Sequence, residues 1–313
     1  MKKLFCIFVI LCLCACSNKT SKLSVVVPSG APSLAFYNEI DNPNFNTSDA
    51  KSILSEIKSD NGSDILVLDS VNGIKAINEN GNYKLASIIT FGNFYIASTG
   101  VDEDGVMDEG DYIVLFSSGA TPDVIFHYLY GNKYDKNIHY VNSVSDAAAC
   151  LIKGINIMDD ERDISDQPYV EYVMIAEPAL CQSLSKNKDA FIYEDIQKMY
   201  HDKTGLDMIQ AALFVSNRLS NDEINSYLNN LENSINELLS IGNVFKNAIE
   251  TNNISDEELK DIFGVANTDI VNKVLEHNTI GLGYKDAYTY KQEIDKFIAL
   301  FSLDETDEEI YYK

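Results

Sequence analysis

The sequence predicts an α/β fold in two lobes, each an open, mostly parallel sheet flanked by helices, with a ligand cleft between them. Three observations carry this. Short apolar strands such as Val25–Val27 and Asp64–Asp69 alternate with helical stretches along the chain. The alternation breaks at an acidic turn near 99–111 and then restarts. One small element, a strand running into a Ser-Gly-Ala turn and a proline, occurs on each side of that break.

The chain opens with Lys2 and Lys3, then an apolar run from Leu4 to Leu13, too short to cross a bilayer as a helix. It ends Leu13-Cys14-Ala15-Cys16 and turns polar at Ser17-Asn18-Lys19-Thr20. This is similar to a bacterial lipoprotein signal: residues 1–15 would be removed, Cys16 lipidated, and 16–22 would form the lipidated cysteine and tether. Cys14 competes as a processing site, and an ordinary secretory signal is the alternative. No other apolar run reaches the length of a membrane span.

Leu23 to Val27 is the first strand, and Pro28-Ser29-Gly30-Ala31-Pro32-Ser33 breaks it, with Pro32 suited to the first turn of a helix running from Leu34 to Ile40. Lys51 to Lys58 is helical. Asp64 to Asp69 is continuously apolar between acidic ends, as in a strand covered on both faces. Val71 to Glu79 is a helix closed by Gly81. Strands follow at Leu85–Thr90 and Phe94–Ser98, split by Gly92-Asn93.

After the acidic turn come strand Tyr112–Phe116, helix Asp123–Tyr130, strand Ile138–Val141, helix Ser145–Lys153 and strand Tyr172–Ala176 ending on Glu177-Pro178, with further strands at Ala190–Tyr193 and Ala211–Val215. The remainder reads as helical. Ile224, Tyr227, Leu228, Leu231, Ile235, Leu238 and Leu239 form one apolar helix face, and Ser255-Asp256-Glu257-Glu258 is a capping box on a helix ended by Gly264.

The net charge of −24 argues against nucleic acid, which is held by cations releasing counterions from phosphates. Of six cysteines, four belong to the leader and anchor; Cys150 and Cys181 remain, either as one disulfide or as two buried thiols. No GxSxG elbow, HExxH, Walker A loop or helix-opening GxGxxG is present, and the four histidines (127, 139, 201 and 277) are scattered. Carboxylates between Asp102 and Asp111 miss the spacing of a calcium loop. Neither a catalytic constellation nor a metal or other cofactor is expected.

What stands out is the repeated turn. Ser29-Gly30-Ala31-Pro32-Ser33 follows Val25–Val27, and Ser117-Ser118-Gly119-Ala120-Thr121-Pro122 follows Ile113–Leu115. Such turns expose backbone N–H groups at the positive end of a helix, and ligands of open α/β sheets sit outside the carboxyl ends of the strands. Either turn alone is ordinary; the pair, one per lobe, points to a cleft.

The opening Val25-Val26-Val27-Pro28-Ser29-Gly30-Ala31-Pro32-Ser33, the Asp64–Asp69 strand, Glu177-Pro178 and Lys203-Thr204-Gly205 before Gln210–Val215 together resemble the substrate-binding proteins of ABC importers. Within that class the chain is most similar to the periplasmic-binding-protein-like superfamily serving nitrate, sulfonate, taurine and thiamine-pyrimidine precursors. The resemblance implies a monomeric receptor with no catalysis, lipid-anchored on the outer face of the cytoplasmic membrane. It would deliver a small-molecule solute to a permease and its ATPase. Lobe one would be 23–98 plus 206–313 and lobe two 99–205, joined by two crossing strands.

By position, the resemblance brings Ser29, Gly30, Ala31, Pro32 and Ser33 to the cleft with Phe36 behind them, followed by Asp69, Ser70 and Asn72, with Gly92 and Asn93 near the crossing. Ser117, Ser118, Gly119, Ala120 and Thr121 would face them, and Glu177 would end its strand as a ligand contact or as a structural group near the hinge. The chain departs from the family in having only Arg162 and Arg218, neither beside a cleft turn, so an arginine clamp on an anion is not expected. With no Trp, stacking on a ring would fall to Phe36, Phe94 or Tyr95, each also suited to core packing. A neutral or cationic heteroaromatic ligand suits these facts better than an anion. Two alternatives to the receptor are a surface lipoprotein without transport and a pyrimidine-synthase-like enzyme.

Overall fold

The computed structural model describes residues 22–313 apart from 103, 158–168 and 241. The leader, Cys16 and the tether through residue 21, and Arg162, lie outside the described residues. The first part of the chain builds β1 (Val25–Val27), α1 (Ala31–Leu34), β2 (Phe45–Thr47), α2 (Ala50–Ile57), β3 (Ile65–Asp69), α3 (Ser70–Asn80) and β4 (Tyr83–Thr90). A second run builds β5 (Phe94–Ser98), β6 (Ile113–Phe116), α4 (Thr121–Tyr130), β7 (Ile138–Val141), α5 (Val144–Lys153), β8 (Tyr172–Ala176), α6 (Ala179–Lys186), β9 (Phe191–Asp195) and α7 (Ile196–Thr204). The chain then returns through β10 (Ala211–Ser216), α8 (Asn221–Ser240), α9 (Val244–Thr251), α10 (Asp256–Phe263), α11 (Thr268–Glu276), β11 (Leu282–Asp286) and α12 (Lys291–Ile298).

Two sheets result. The first has six strands in the order β11-β4-β10-β3-β1-β2, the second five in the order β7-β6-β8-β5-β9. The α/β class stands, but both sheets are mixed rather than mostly parallel. β1 pairs in parallel with β2 and β3, and β6 with β7 and β8. β10 runs antiparallel to β3 and β4, β11 antiparallel to β4, and β5 antiparallel to β8 and β9. The reason is topological: the strands through which the chain enters a sheet from its neighbour, β5 and β10, slot in between or beside strands already pointing the other way. β5 pairs wholly within the second sheet, so residues 94–98, expected in the first lobe, lie in the second sheet.

Helix ends follow local chemistry. Asp49, Asp69, Ser143, Asp195 and Asn267 cap α2, α3, α5, α7 and α11 with side-chain oxygens, and Ser255 with Glu258 forms the expected reciprocal capping box on α10. Gly81, Gly154, Gly205 and Gly264 close α3, α5, α7 and α10 in the left-handed conformation.

Three local expectations fail for stated reasons. The helix expected over Leu34–Ile40 stops at Leu34 and becomes a 3-10 turn at Tyr37–Glu39. Leu34, Ala35, Phe36 and Tyr37 are all buried, and one helical stripe cannot bury four consecutive residues. The C-terminal part is not all helix: β11 adds an antiparallel edge strand whose Gly283 and short length mask it in the sequence. On α8, Ile224, Leu228, Leu231, Ile235 and Leu238 are buried, but Leu239 is exposed, off the edge of the stripe.

Strand alternation divides the core. Val25, Val27, Ile65, Val67 and Leu213 pack into one apolar cluster with α8 through α11, while Val26, Leu66, Leu68 and Phe214 face the other way. That second cluster continues through Met208 and Ile209 into Ile96, Val173 and Leu115 of the second sheet. The two crossings, Thr90 to Phe94 and Gly205 to Ala211, meet where a side chain at Gly92 (φ 89°) would run into Met208. Cys150 and Cys181 are free thiols, the first buried and the second half-buried. No helix among the described residues is long and apolar enough to cross a membrane.

Candidate functional site

A cavity of about 400 Å³ lies where the carboxyl ends of β1, β3, β6 and β8 meet the amino ends of β5 and β10. Parallel strands deliver their C-terminal turns to one end of a sheet, and antiparallel strands begin there, so both sheets converge on this point. Of the residues expected from the sequence, Ser29, Gly30, Ala31, Pro32, Asp69, Asn72, Asn93, Ser117, Ala120, Thr121 and Glu177 line it.

The others lie elsewhere, each for a visible reason. The Ser33 hydroxyl donates to Gly30 O at 2.8 Å inside its own turn. Phe36 is fully buried and stacks on Phe45, with ring centroids 6.2 Å apart. The Ser70 hydroxyl donates to Ile209 O at 2.6 Å. Gly92 packs on Met208 at the crossing. Ser118 and Gly119 are exposed at the tip of their turn. Tyr95, a candidate for ring stacking, is buried with its hydroxyl donating to Thr279 O at 3.3 Å, whereas Phe94 does line the cavity.

The cavity also takes residues to which the sequence did not point. Ile53 of α2, Leu68 of β3, Phe116 of β6 and Val144 of α5 give it apolar walls, and Gln210 precedes β10. The Phe94 and Phe116 rings meet edge to face at 5.8 Å. Their apolar runs read as core, and only the sheet order brings their ends to one place.

Two carboxylates dominate its electrostatics. Asp69 caps α3: Oδ1 accepts from Asn72 N at 2.9 Å, and Oδ2 accepts from the Thr121 hydroxyl at 2.6 Å. Burial pushes its carboxyl above the usual range, although Thr121 and the backbone of Asn72 act against this. Glu177 accepts from Cys181 N at 3.0 Å and from the Thr279 hydroxyl at 3.1 Å, and burial pushes it up to about 7. Asn93 is 1% exposed; its Nδ2 donates to Glu177 O at 2.9 Å, which fixes Oδ1 as the free end. Asn93 Oδ1 and Gln210 Oε1 have no hydrogen-bond partner. Among the described residues no Lys, Arg or His lines the cavity.

The two Ser-Gly-Ala turns are not equivalent. Gly30 sits at φ 109°, ψ −146°, a conformation open to glycine. In the second turn the Gly119 N–H, just before α4, donates to Asp123 Oδ2 at 2.7 Å, so one donor there is already taken by the helix's own carboxylate. Asp123 is the third residue of α4, two residues later in the helix than the sequence placed it, and a carboxylate there can reach back to the preceding turn. Beyond the cavity, Gln182 of α6 donates to Gly264 O and accepts from Ala266 N, both at 2.9 Å.

Comparison with known proteins gives structure without sequence kinship. No protein-family model and no curated protein matches the chain. A crystal structure of an ABC transporter protein from Parabacteroides distasonis matches with a TM-score of 0.72 at 19% identity, covering 94% of this chain and 99% of that one. The periplasmic aliphatic sulphonate binding protein SsuA of Escherichia coli matches with a TM-score of 0.57 at 12% identity, covering 93% and 92%. The fold is that of the periplasmic binding proteins. A ligand-binding component of an ABC-type import system from Staphylococcus aureus, solved with zinc bound, adds a TM-score of 0.61 at 10% identity, covering 93% and 96%. In this periplasmic-binding-protein fold, no group of three or more His, Cys, Asp or Glu among the described residues could hold a metal.

Proposed function

We propose that the protein is an extracytoplasmic receptor that captures a small solute between its two α/β lobes and presents it to an ABC permease and its ATPase. The observation that carries this is the cavity of about 400 Å³ lined from both sheets, at the low end of the size of small-molecule sites. The fold of binding components of import systems supports it. On this reading the lobes are residues 23–90 with 211–313, and 94–204, hinged at the two crossings. The chain works as a monomer without catalysis, held by lipid on Cys16 at the outer face of the cytoplasmic membrane. Asp69, Asn93, Thr121, Glu177 and the turn at Ser29–Pro32 are its ligand contacts.

The solute favours the closed arrangement by touching both lobes at once. Mass spectrometry of small molecules released from the purified protein tests this, followed by thermal shift with each one found. A true ligand at 100 times its Kd adds about 2.7 kcal/mol to stability. Small-angle scattering should show a smaller radius of gyration with the solute bound; a solute that binds without changing the radius argues against closure.

A further inference from the structure

We infer that this cavity selects a small organic cation, a protonated amine or amidine on an apolar body, and discriminates against sulfonate- or carboxylate-type anions. The inference rests on the solute-binding reading above. Its basis is the two carboxylates that line the cavity, the buried amide oxygens beside them and the lack of a cationic side chain among the described lining residues.

One backbone donor at the start of each of three helices is already taken. Asp69 takes the Asn72 N–H at the start of α3, Asp123 takes the Gly119 N–H before α4, and Glu177 takes the Cys181 N–H in the first turn of α6. A carboxylate of the chain thus already sits at each of these three helix starts, while the start of α1 at Gly30, which also lines the cavity, carries no side-chain cap. No cationic side chain among the described residues lines the cavity to replace them.

Acceptors are in surplus. Asp69 and Glu177 each use one lone pair per oxygen in the contacts above and keep others free. Asn93 and Gln210 line the cavity, and their side-chain oxygens, Asn93 Oδ1 and Gln210 Oε1, are buried without a hydrogen-bond partner. An orphaned buried acceptor costs free energy unless a donor reaches it. The ligand that completes the site therefore brings N–H groups and a positive charge to offset two carboxylates. Phe94, Phe116, Ile53 and Leu68 supply the apolar surface for its body.

The test titrates the purified protein at pH 8 with matched series: benzamidine, benzamide, benzoate and benzenesulfonate, then butylamine, butyramide and butyrate. Calorimetry and thermal shift are the readouts. The cations should bind and their anionic partners should not. Asp69→Asn and Glu177→Gln should each weaken cation binding on the order of 30-fold or more, as when one half of a buried charge pair is removed. The melting temperature of Glu177→Gln at pH 8 should equal or exceed the parent's, so lost binding would not be lost folding. Preference for an anion or a neutral member, or variants that bind the cation as the parent does, overturns the inference. A co-purifying solute without a basic nitrogen also overturns it and leaves the receptor reading intact. An empty protein that binds no member of either series sinks both.

Discussion

The Thr121 hydroxyl donates to Asp69 Oδ2 at 2.6 Å, joining the first turn of a helix over the second sheet to the end of a strand in the first. The bond spans the cavity edge and uses a carboxyl group that burial pushes above its usual range. The two lobes thus touch through the same group that faces the cavity, so the contact between lobes and the occupancy of the site share one carboxylate.

Thr121→Val keeps the shape and removes this donor. Stability should fall by about 1–3 kcal/mol, the cost of leaving a buried acceptor without its partner. Denaturant unfolding measures the loss, and scattering should show a larger mean radius of gyration in the unliganded variant. An unchanged midpoint and radius would mean that the bond holds neither the fold nor the lobes.

The Glu177 carboxyl sits at about 7 against an ordinary 4.5, with burial as the cause. Because the folded value is the higher one, the stability associated with its proton is fully present below about 4.5 and is lost as pH rises through about 7. The shift corresponds to about 3 kcal/mol between those limits. Glu177→Gln should therefore melt like the parent at pH 4.5 and higher than the parent at pH 8. Thermal melts at the two pH values check the sign.

Cation binding should strengthen from pH 5 to pH 8, because Glu177 must release its proton to meet a positive charge. The groups facing Glu177 do not reverse this. Thr279 does not titrate, and burial raises both the Cys181 thiol and the Tyr95 hydroxyl, so each stays neutral over the interval. Lys273 acts on the Cys181 thiol in the lowering direction, but burial outweighs it. Titrations of benzamidine at several pH values measure it; affinity that is flat across the interval would place the cation away from Glu177.

Two glycines with similar backbone separate packing from strain. Gly281 has φ 69°, and a side chain there would collide with the carbonyl of Gly92 at the crossing. Gly119 has φ 75° and open space around it. Gly119→Ala should cost about 1 kcal/mol, the price of a left-handed backbone alone. Gly281→Ala should cost about 3 kcal/mol or more, since backbone must move. Denaturation midpoints of the pair decide whether the crossings are as tightly packed as the structure has them.

Much of the architecture was legible because it rests on short-range rules. The strand and helix alternation, the box at Ser255 and Glu258, and the glycine stops at Gly81 and Gly264 follow from sterics and hydrogen bonds within a few residues. The two Ser-Gly-Ala turns also marked the right end of each sheet. Adjacency misled at Ser33, Phe36 and Ser70, whose neighbours line the cavity while their own side chains turn into the fold. β2 and β11 escaped notice as short edge strands with few apolar residues.

The sequence by itself determined the α/β class and the excess of carboxylates over cations. Tertiary structure alone decided that Asp69 meets Thr121 across 52 positions and Glu177 meets Thr279 across 102. Those pairings depend on the order in which strands are laid into the sheets. That order is set by burying both faces of each sheet together, a free energy that belongs to no local stretch of chain.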